Sequence, residues 1–215
     1  MAARTRQDRA IPKHPGAGAP AGLPRRTRLA AAAGRAVAAW SRRLGAGDGT
    51  VIGGRVTLAL DPRALARLAA GRQVALVSGT NGKTTTNRLL WLALGGGGRA
   101  ACNSGGSNLP PGLVAALAEA PAPAPAALEV DEAYLDRVVE ATGPAVLAML
   151  NLTRDQLDRI SEVRMLAGRW RQAAARAGGQ VVANADDPLV CWAASAAARV
   201  VWVAAGQPWR ADAVG

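Results

Sequence analysis

Short apolar runs alternate along this chain with stretches in which apolar residues recur every three or four positions. The runs fall at Val74–Ser78, Arg99–Asn103, Ala126–Glu129, Val146–Asn151, Val181–Asn184 and Val200–Ala204. Runs of this length without polar alternation read as strands covered on both faces, and the helical patterns of about ten residues between most of them read as the covering layers. The order of the two predicts an α/β fold, a parallel sheet flanked by helices, over residues 71–215. Five runs close on a polar residue: Ser78, Asn103, Glu129, Asn151 and Asn184. Ligands of open α/β sheets bind beyond the carboxyl ends of the strands, so these five are expected to converge on one site. Taken singly, each reads equally well as a helix cap or turn former.

Upstream of the sheet the pattern changes. Residues 1–27 are rich in Pro, Gly, Ala and charge without periodicity, and are expected to be a disordered basic tail. Residues 28–70 are expected to form an N-terminal helix and a small subdomain. Over Arg25–Leu44, Leu29, Ala33, Val37, Trp40 and Leu44 share one helical stripe, with Arg28, Arg35, Arg42 and Arg43 mostly off it. This amphipathic basic helix is expected to dock through that stripe, a membrane-surface helix being the other reading. Arg35 interrupts the apolar span, so a secretion signal does not fit, and no segment reaches the roughly 20 apolar residues that cross a bilayer.

Composition narrows the chemistry. Half of the 215 residues are hydrophobic but none is phenylalanine, so the core is expected to rest on Val, Leu, Ala and a few of the six tryptophans. The formal charge of +11 invites a nucleic-acid reading, yet no run of arginines interleaves with stacking aromatics, so nucleic acid is not an expected partner. Cys102 and Cys191 lack paired spacing and read as reduced thiols of a cytosolic protein. His14, the only histidine, lies in the tail, which leaves acid–base and metal chemistry to Asp, Glu, Asn and Gln.

The chemistry concentrates at Val74 to Arg88, VALVSGTNGKTTTNR. A buried strand opens there into a loop bounded by Gly79 and Gly82, whose missing side chains let backbone N–H groups approach an anion, and a helix starting near Lys83 aims its positive dipole end at the same point. In such a loop Lys83 reaches the β- and γ-phosphates and Thr84 offers its hydroxyl to magnesium. Among 26 basic residues only Lys13 and Lys83 are lysines, so an arginine-using chain keeps a lysine at this position. Glu129, in LEVDEAYL, leaves a neighbouring strand and is the candidate to share a metal ion with Thr84, while Asp131 and Glu132 read as first-turn residues of the next helix. The Gly-rich NSGGSNLPPGL, residues 103–113, reads either as a substrate-side loop with Asn108 as a hydrogen-bonding group or as a turn before a Pro-started helix.

The loop does not meet the general Walker spacing, because Val77 stands six residues before Lys83 where that pattern has glycine. Its shorter form, GTNGKTT, resembles the ATP loop of the Mur ligase superfamily, enzymes that join amino acids or ammonia to a carboxylate through an acyl phosphate. The segment NLTRDQLDR at Asn151 resembles the superfamily's magnesium- and ATP-holding segment, with Gln156 where most members have histidine. That departure is similar to the MurT-type branch, the ligase subunits of lipid II isoglutaminyl synthases. ANADDPLV, residues 183–190, resembles the adenine-side segment, a cap and turn explaining its DDP equally well.

The resemblance runs from about Arg28 to the end of the chain and implies a set of roles. Gly79, Thr80, Asn81, Gly82, Lys83, Thr84, Thr85, Asn151, Asn184 and Asp187 would bind ATP; Thr84, Glu129 and Gln156 would hold magnesium; Lys83 and Glu129 would be catalytic; Ser107 and Asn108 would lie near substrate. It implies a Mur-ligase-like ATP-binding central domain over residues 71–215 and a glutamine-dependent carbon–nitrogen ligase of peptidoglycan synthesis. That enzyme would amidate the D-glutamate α-carboxylate of the lipid II stem peptide with ammonia from a GatD-type glutaminase, in the cytoplasm or at the inner face of the membrane. The branch continues into a four-cysteine zinc ribbon and a C-terminal domain whose ligands and motifs are not in this sequence, so the chain reads as incomplete for amidation. A non-catalytic ATP-binding remnant and another Mur or folylpolyglutamate-type ligase are the alternatives, although no lysine follows Lys83 to serve as the modified metal ligand many Mur ligases carry.

Overall fold

The computed structural model describes residues 22–206 apart from 46, 48, 104, 105 and 153–159. Gln156, His14 and most of the expected tail lie outside the described residues. Six strands, β1 (Val74–Ser78), β2 (Ala101–Cys102), β3 (Ala126–Glu129), β4 (Val146–Met149), β5 (Gln180–Asn184) and β6 (Val200–Val203), form one sheet among them, in the order β2-β3-β1-β4-β5-β6. Every pairing is parallel, with Leu76 opposite Leu128 on one side and Leu147 on the other. The expected α/β architecture is therefore present, with α4 (Lys83–Ala93), α5 (Pro110–Glu119), α6 (Leu135–Thr142), α7 (Ile160–Arg176) and α8 (Pro188–Ala194) between the strands.

Strand boundaries follow burial. All five residues of β1 and all four of β3 are buried, because helices cover both faces of the sheet, and both strands run over the lengths expected from their apolar runs. The expected strand at Arg99–Asn103 is reduced to two paired residues at the sheet edge, and β4 stops two residues before Asn151, where the chain turns to brace the β1 loop. Among the described residues Trp170, on α7, is the only fully buried tryptophan; Trp40, Trp192 and Trp202 are exposed, so the core rests on Val, Leu, Ala, Met149 and one indole rather than on several.

Before the sheet, α1 (Arg25–Arg43), α2 (Thr50–Leu60) and α3 (Ala64–Ala69) form a helical layer against α5. Here the structure corrects the expected docking face of α1. Thr27, Ala30, Ala31, Gly34 and Ala38 are buried, whereas Leu29, Trp40 and Leu44 are 72%, 68% and 69% exposed. The reason is close approach: a Cβ built on Gly34 would stand 2.5 Å from the Gly53 carbonyl oxygen, a separation that only small residues permit. Gly54 lies tighter still against the Pro111 backbone of α5. At the end of α2, the buried Asp61 takes hydrogen bonds from the Thr27 hydroxyl (2.7 Å), the Arg63 amide (3.2 Å) and Arg67 (2.9 and 3.0 Å), tying α1, α2 and α3 together. Arg72, just past α3, donates to the carbonyls of Leu68, Leu117, Ala120, Pro121 and Ala124 at 2.9–3.2 Å, anchoring the end of α5 to the start of β3.

Candidate functional site

Beyond the carboxyl end of β1 the chain makes a tight exit. The buried Ser78 hydroxyl donates to the Val130 carbonyl (2.8 Å), and a Cβ on Gly79 would meet Leu150 Cβ at 2.7 Å, so glycine lets the loop pass against the end of β4. Gly82 takes φ 82°, a left-handed turn that starts α4 at Lys83. The first N–H groups of this 11-residue helix lack intrahelical acceptors and open over the ends of the strands.

Two side chains from the first turn of α4 reach acidic partners on the β3 side. Thr84 Oγ1 donates to Glu129 Oε2 at 2.9 Å, and Lys83 Nζ donates to Glu132 Oε1 at 3.1 Å, to the Thr80 carbonyl at 3.1 Å and to the Gly79 carbonyl. Glu129 is 3% exposed, and its backbone is pinned by Asn103, whose Oδ1 accepts from the Glu129 amide (2.9 Å) while its Nδ2 donates to the Glu129 carbonyl (2.8 Å). Asn108 Nδ2 approaches the other carboxylate oxygen at 3.4 Å. On the β4 side, Asn151 accepts from the amides of Thr80 and Asn81 (both 2.8 Å) and donates to the Asn81 carbonyl (3.0 Å), so it braces the loop from outside.

The structure thus joins Gly79–Thr85, Glu129, Asn103, Asn108 and Asn151 in one constellation. Asn184 and Asp187 are engaged otherwise. Asn184 Oδ1 accepts from the Asp186 amide (2.9 Å). Asp187 caps α8 through the amides of Leu189 (2.9 Å) and Val190 (3.1 Å), and its second oxygen accepts from the Leu152 amide (2.7 Å). Its carboxylate is occupied by backbone, tying the segment after Asn151 to the end of β5. Ser107 enters through its carbonyl, which accepts from Asn103 Nδ2 (3.1 Å). Asp131 caps the 3-10 turn Glu132–Tyr134 by accepting from the Ala133 amide (2.9 Å).

Two residues join the site that sequence reasoning missed or read otherwise. Glu132, read as a helix-start acid, is the partner of Lys83, a pairing across 49 positions that no local pattern reveals. Asn87, 2% exposed, donates to Asn103 Oδ1 and Cys102 Sγ (both 3.4 Å) and leaves its own Oδ1 without a partner. Its signal was available: Asn87 lies three residues after Thr84, on the same helix face. Neither cysteine is primed as a nucleophile. Burial raises the Cys102 pKa, with the Glu129 charge adding to it against a hydrogen bond from Asn87; burial, then the Asp187 and Asp186 charges, raise that of Cys191.

A buried carboxylate against a threonine hydroxyl, beside a lysine and a helix N-terminus, is a donor set suited to magnesium and polyphosphate. Magnesium is commonly held by one or two carboxylates, waters and the phosphates themselves. Among the described residues no group of three His, Cys, Asp or Glu side chains is placed to hold a metal ion.

Comparison with known proteins agrees with this chemistry. The family model described as the Mur ligase middle domain matches residues 77–211. The MurT subunit of a glutamine-hydrolyzing lipid II isoglutaminyl synthase from Staphylococcus aureus (strain N315) is 31% identical over 146 residues, covering 66% of this chain and 33% of that protein. A MurT subunit from Streptococcus pneumoniae is 31% identical over 152 residues, 66% of this chain and 33% of its own length. A UDP-N-acetylmuramoylalanine–D-glutamate ligase from Frankia casuarinae is 34% identical over 146 residues, 66% and 28% of the two chains. Among solved structures, MurF from Acinetobacter baumannii overlays with a TM-score of 0.57 at 18% identity, covering 75% of this chain and 36% of its own, a likeness in fold. The chain spans about a third of the length of the curated relatives it matches.

Proposed function

The chain belongs to the Mur ligase family, matching its middle domain over residues 77–211, and from that premise we propose that Gly79–Thr85 binds ATP within a carbon–nitrogen ligase of peptidoglycan synthesis. The observation that carries the reading is the 2.9 Å contact between Thr84 Oγ1 and the buried Glu129 carboxylate, at the residue next to Lys83 on the first turn of α4. Thr84 and Glu129 would hold magnesium, which would supply charge neutralisation at the nucleotide phosphates. Lys83 would exchange its carbonyl and Glu132 partners for phosphate oxygens and stabilise the charge that develops as the γ-phosphoryl group leaves ADP for a substrate carboxylate oxygen. Asn151 holds the Thr80–Asn81 segment, and Asn103 holds Glu129, so that both walls keep their spacing while the nucleotide enters.

The finer reading is amidation of the D-glutamate α-carboxylate of the lipid II stem peptide. Ammonia from a GatD-type glutaminase would attack the activated carbonyl carbon and release inorganic phosphate. The 31% identity to MurT subunits supports this branch, as does Gln156 in NLTRDQLDR. The 34% identity to a D-glutamate ligase supports a second reading, in which an amino acid replaces ammonia as the nucleophile.

Nucleotide binding is the first test. Titration of the purified chain with a fluorescent ATP analogue is expected to give magnesium-dependent binding that falls at least about tenfold in Lys83→Ala, and Glu129→Gln is expected to lose the magnesium dependence. Equal binding by the parent and Lys83→Ala would refute the assignment of the loop. Incubated with a GatD-type glutaminase, glutamine, Mg-ATP and lipid II stem peptide, the chain as given is expected not to complete amidation, and robust amidated product by mass spectrometry would refute the reading that it is incomplete for that step.

A further inference from the structure

The helix α1 presents two opposite faces of different chemistry. Its small-residue face is consumed by packing on α2, which leaves a stripe pointing away from the protein: Leu29, Ala33, Trp40 and Leu44 lie along one side of a 3.6-residue helix, opposite Gly34 and Ala38. Three of the four are large apolar side chains about 70% exposed. The 19-residue helix carries six arginines and no acid, and the exposed Arg25 and Arg43 lie beside that stripe, with Arg28 further round the same side. The next helix, α2, likewise leaves Ile52 and Leu60 about half exposed. Burying an apolar stripe is favourable wherever an apolar phase is available, and a wholly cationic flank selects an anionic one.

We propose that the outward face of α1 docks on an anionic lipid surface, the helix lying in the plane of the interface. Leu29 and Leu44 enter the acyl boundary there, Trp40 sits at the level of the headgroups, and the flanking arginines meet lipid phosphates. Trp40 suits that depth because its ring is apolar and its N–H is polar. A lying helix is the geometry the sequence allows, since no described helix is long and apolar enough to cross a membrane. The charge pattern favours lipid over nucleic acid, because the arginines flank a stripe of leucine and tryptophan that a phosphate backbone does not solvate. The inference does not rest on the nucleotide site, and the vesicles that test it contain neither ATP nor stem peptide.

The test is flotation of the full chain with vesicles of phosphatidylcholine alone and with about a third phosphatidylglycerol, at low and at high salt. Binding is expected only to the anionic vesicles. It is expected to weaken with salt and to fall roughly tenfold or more in Leu29→Ser/Trp40→Ser, which removes exposed apolar groups without touching the packed face. A second variant, Arg28→Ser/Arg43→Ser, is expected to lose the preference for anionic lipid, and circular dichroism of both variants is expected to match the parent. No binding to anionic vesicles at low salt overturns the proposal. So does binding that the Leu29 and Trp40 substitutions leave unchanged, which would make the attraction one of overall charge, and so does binding to RNA in preference to vesicles. An apolar face satisfied by a protein would appear as self-association lost in Leu29→Ser/Trp40→Ser without any vesicle binding, and that result also overturns it.

Discussion

Alanine at Gly54 and alanine at Gly168 should change stability in opposite directions, although both glycines sit inside helices. Helix propensity alone favours alanine over glycine by about 1 kcal/mol at either position. At Gly168, in α7, an added Cβ meets nothing within 4 Å, so most of that gain should be kept, about 0.5–1 kcal/mol. At Gly54, in α2, the same atom would stand 1.9 Å from the Pro111 carbonyl oxygen, 2.5 Å from its carbonyl carbon and 2.9 Å from its Cα, where ordinary contact begins at 3.4 Å. All three are backbone atoms of α5 and cannot rotate away, so the two helices must part by about an ångström or more and forfeit close packing along their length. Overpacking of this kind costs about 1–3 kcal/mol and outweighs the propensity gain, leaving Gly54→Ala less stable than the parent by at least about 1 kcal/mol. Urea unfolding followed by far-ultraviolet circular dichroism reads both variants against the parent, with equal slopes as the check that only stability has moved. Two variants that shift the midpoint in the same direction, or a Gly54→Ala protein as stable as the parent, would refute the claim that backbone contact between α2 and α5 decides the outcome.

Two further outcomes follow from polar groups of the helical layer. Arg72→Lys should destabilise the chain by about 1–3 kcal/mol in the same urea assay, because one ammonium cannot satisfy the five carbonyls that the guanidinium spans, and a result within error of the parent would remove its anchoring role. Burial of Asp61 by itself would raise its pKa, but hydrogen bonds from Thr27, Arg67 and the Arg63 amide, with the Arg67 charge, outweigh burial and lower it. A lowered folded pKa gives stability that is fully present above the unfolded value near 4 and is lost as the pH falls through the folded value. Asp61→Asn should therefore be less stable than the parent at pH 7, with the gap closing only below about pH 4; a gap constant from pH 7 to pH 2 would contradict this.

The strand–loop–helix around Lys83 was legible in the sequence because its physics is local. A fully buried strand leaves a bare apolar run, Gly82 marks the left-handed turn, and Thr84 follows Lys83 on the first turn of the helix. Glu129 was legible as a carboxylate leaving a strand toward Thr84, although the direct 2.9 Å contact between them depends on β3 pairing beside β1. The face of α1 was misread for a physical reason: hydrophobic patterning weighs large side chains, whereas α1 packs where Gly34 and Gly53 let two backbones approach. Asp187 exposes a different limit, since an aspartate before proline reads alike whether it caps a helix or faces a ligand, and the cap shows only in the amides of Leu189 and Val190, with the Leu152 amide on its second oxygen.

The sheet order also constrains how the protein can be made. Its central strand, β1, finds its neighbours at Ala126 and Val146, far along the chain, and every other pairing in the sheet is likewise parallel and separated by a helix. Closing loops of that length costs entropy before any pairing repays it. As the chain leaves the ribosome, the Gly79–Thr85 loop and α4 emerge well before the strand that carries Glu129. A nascent chain halted before β3 has made its lysine loop but has no sheet to hold it, so any ligand of that loop could assist folding only once β3 has been made.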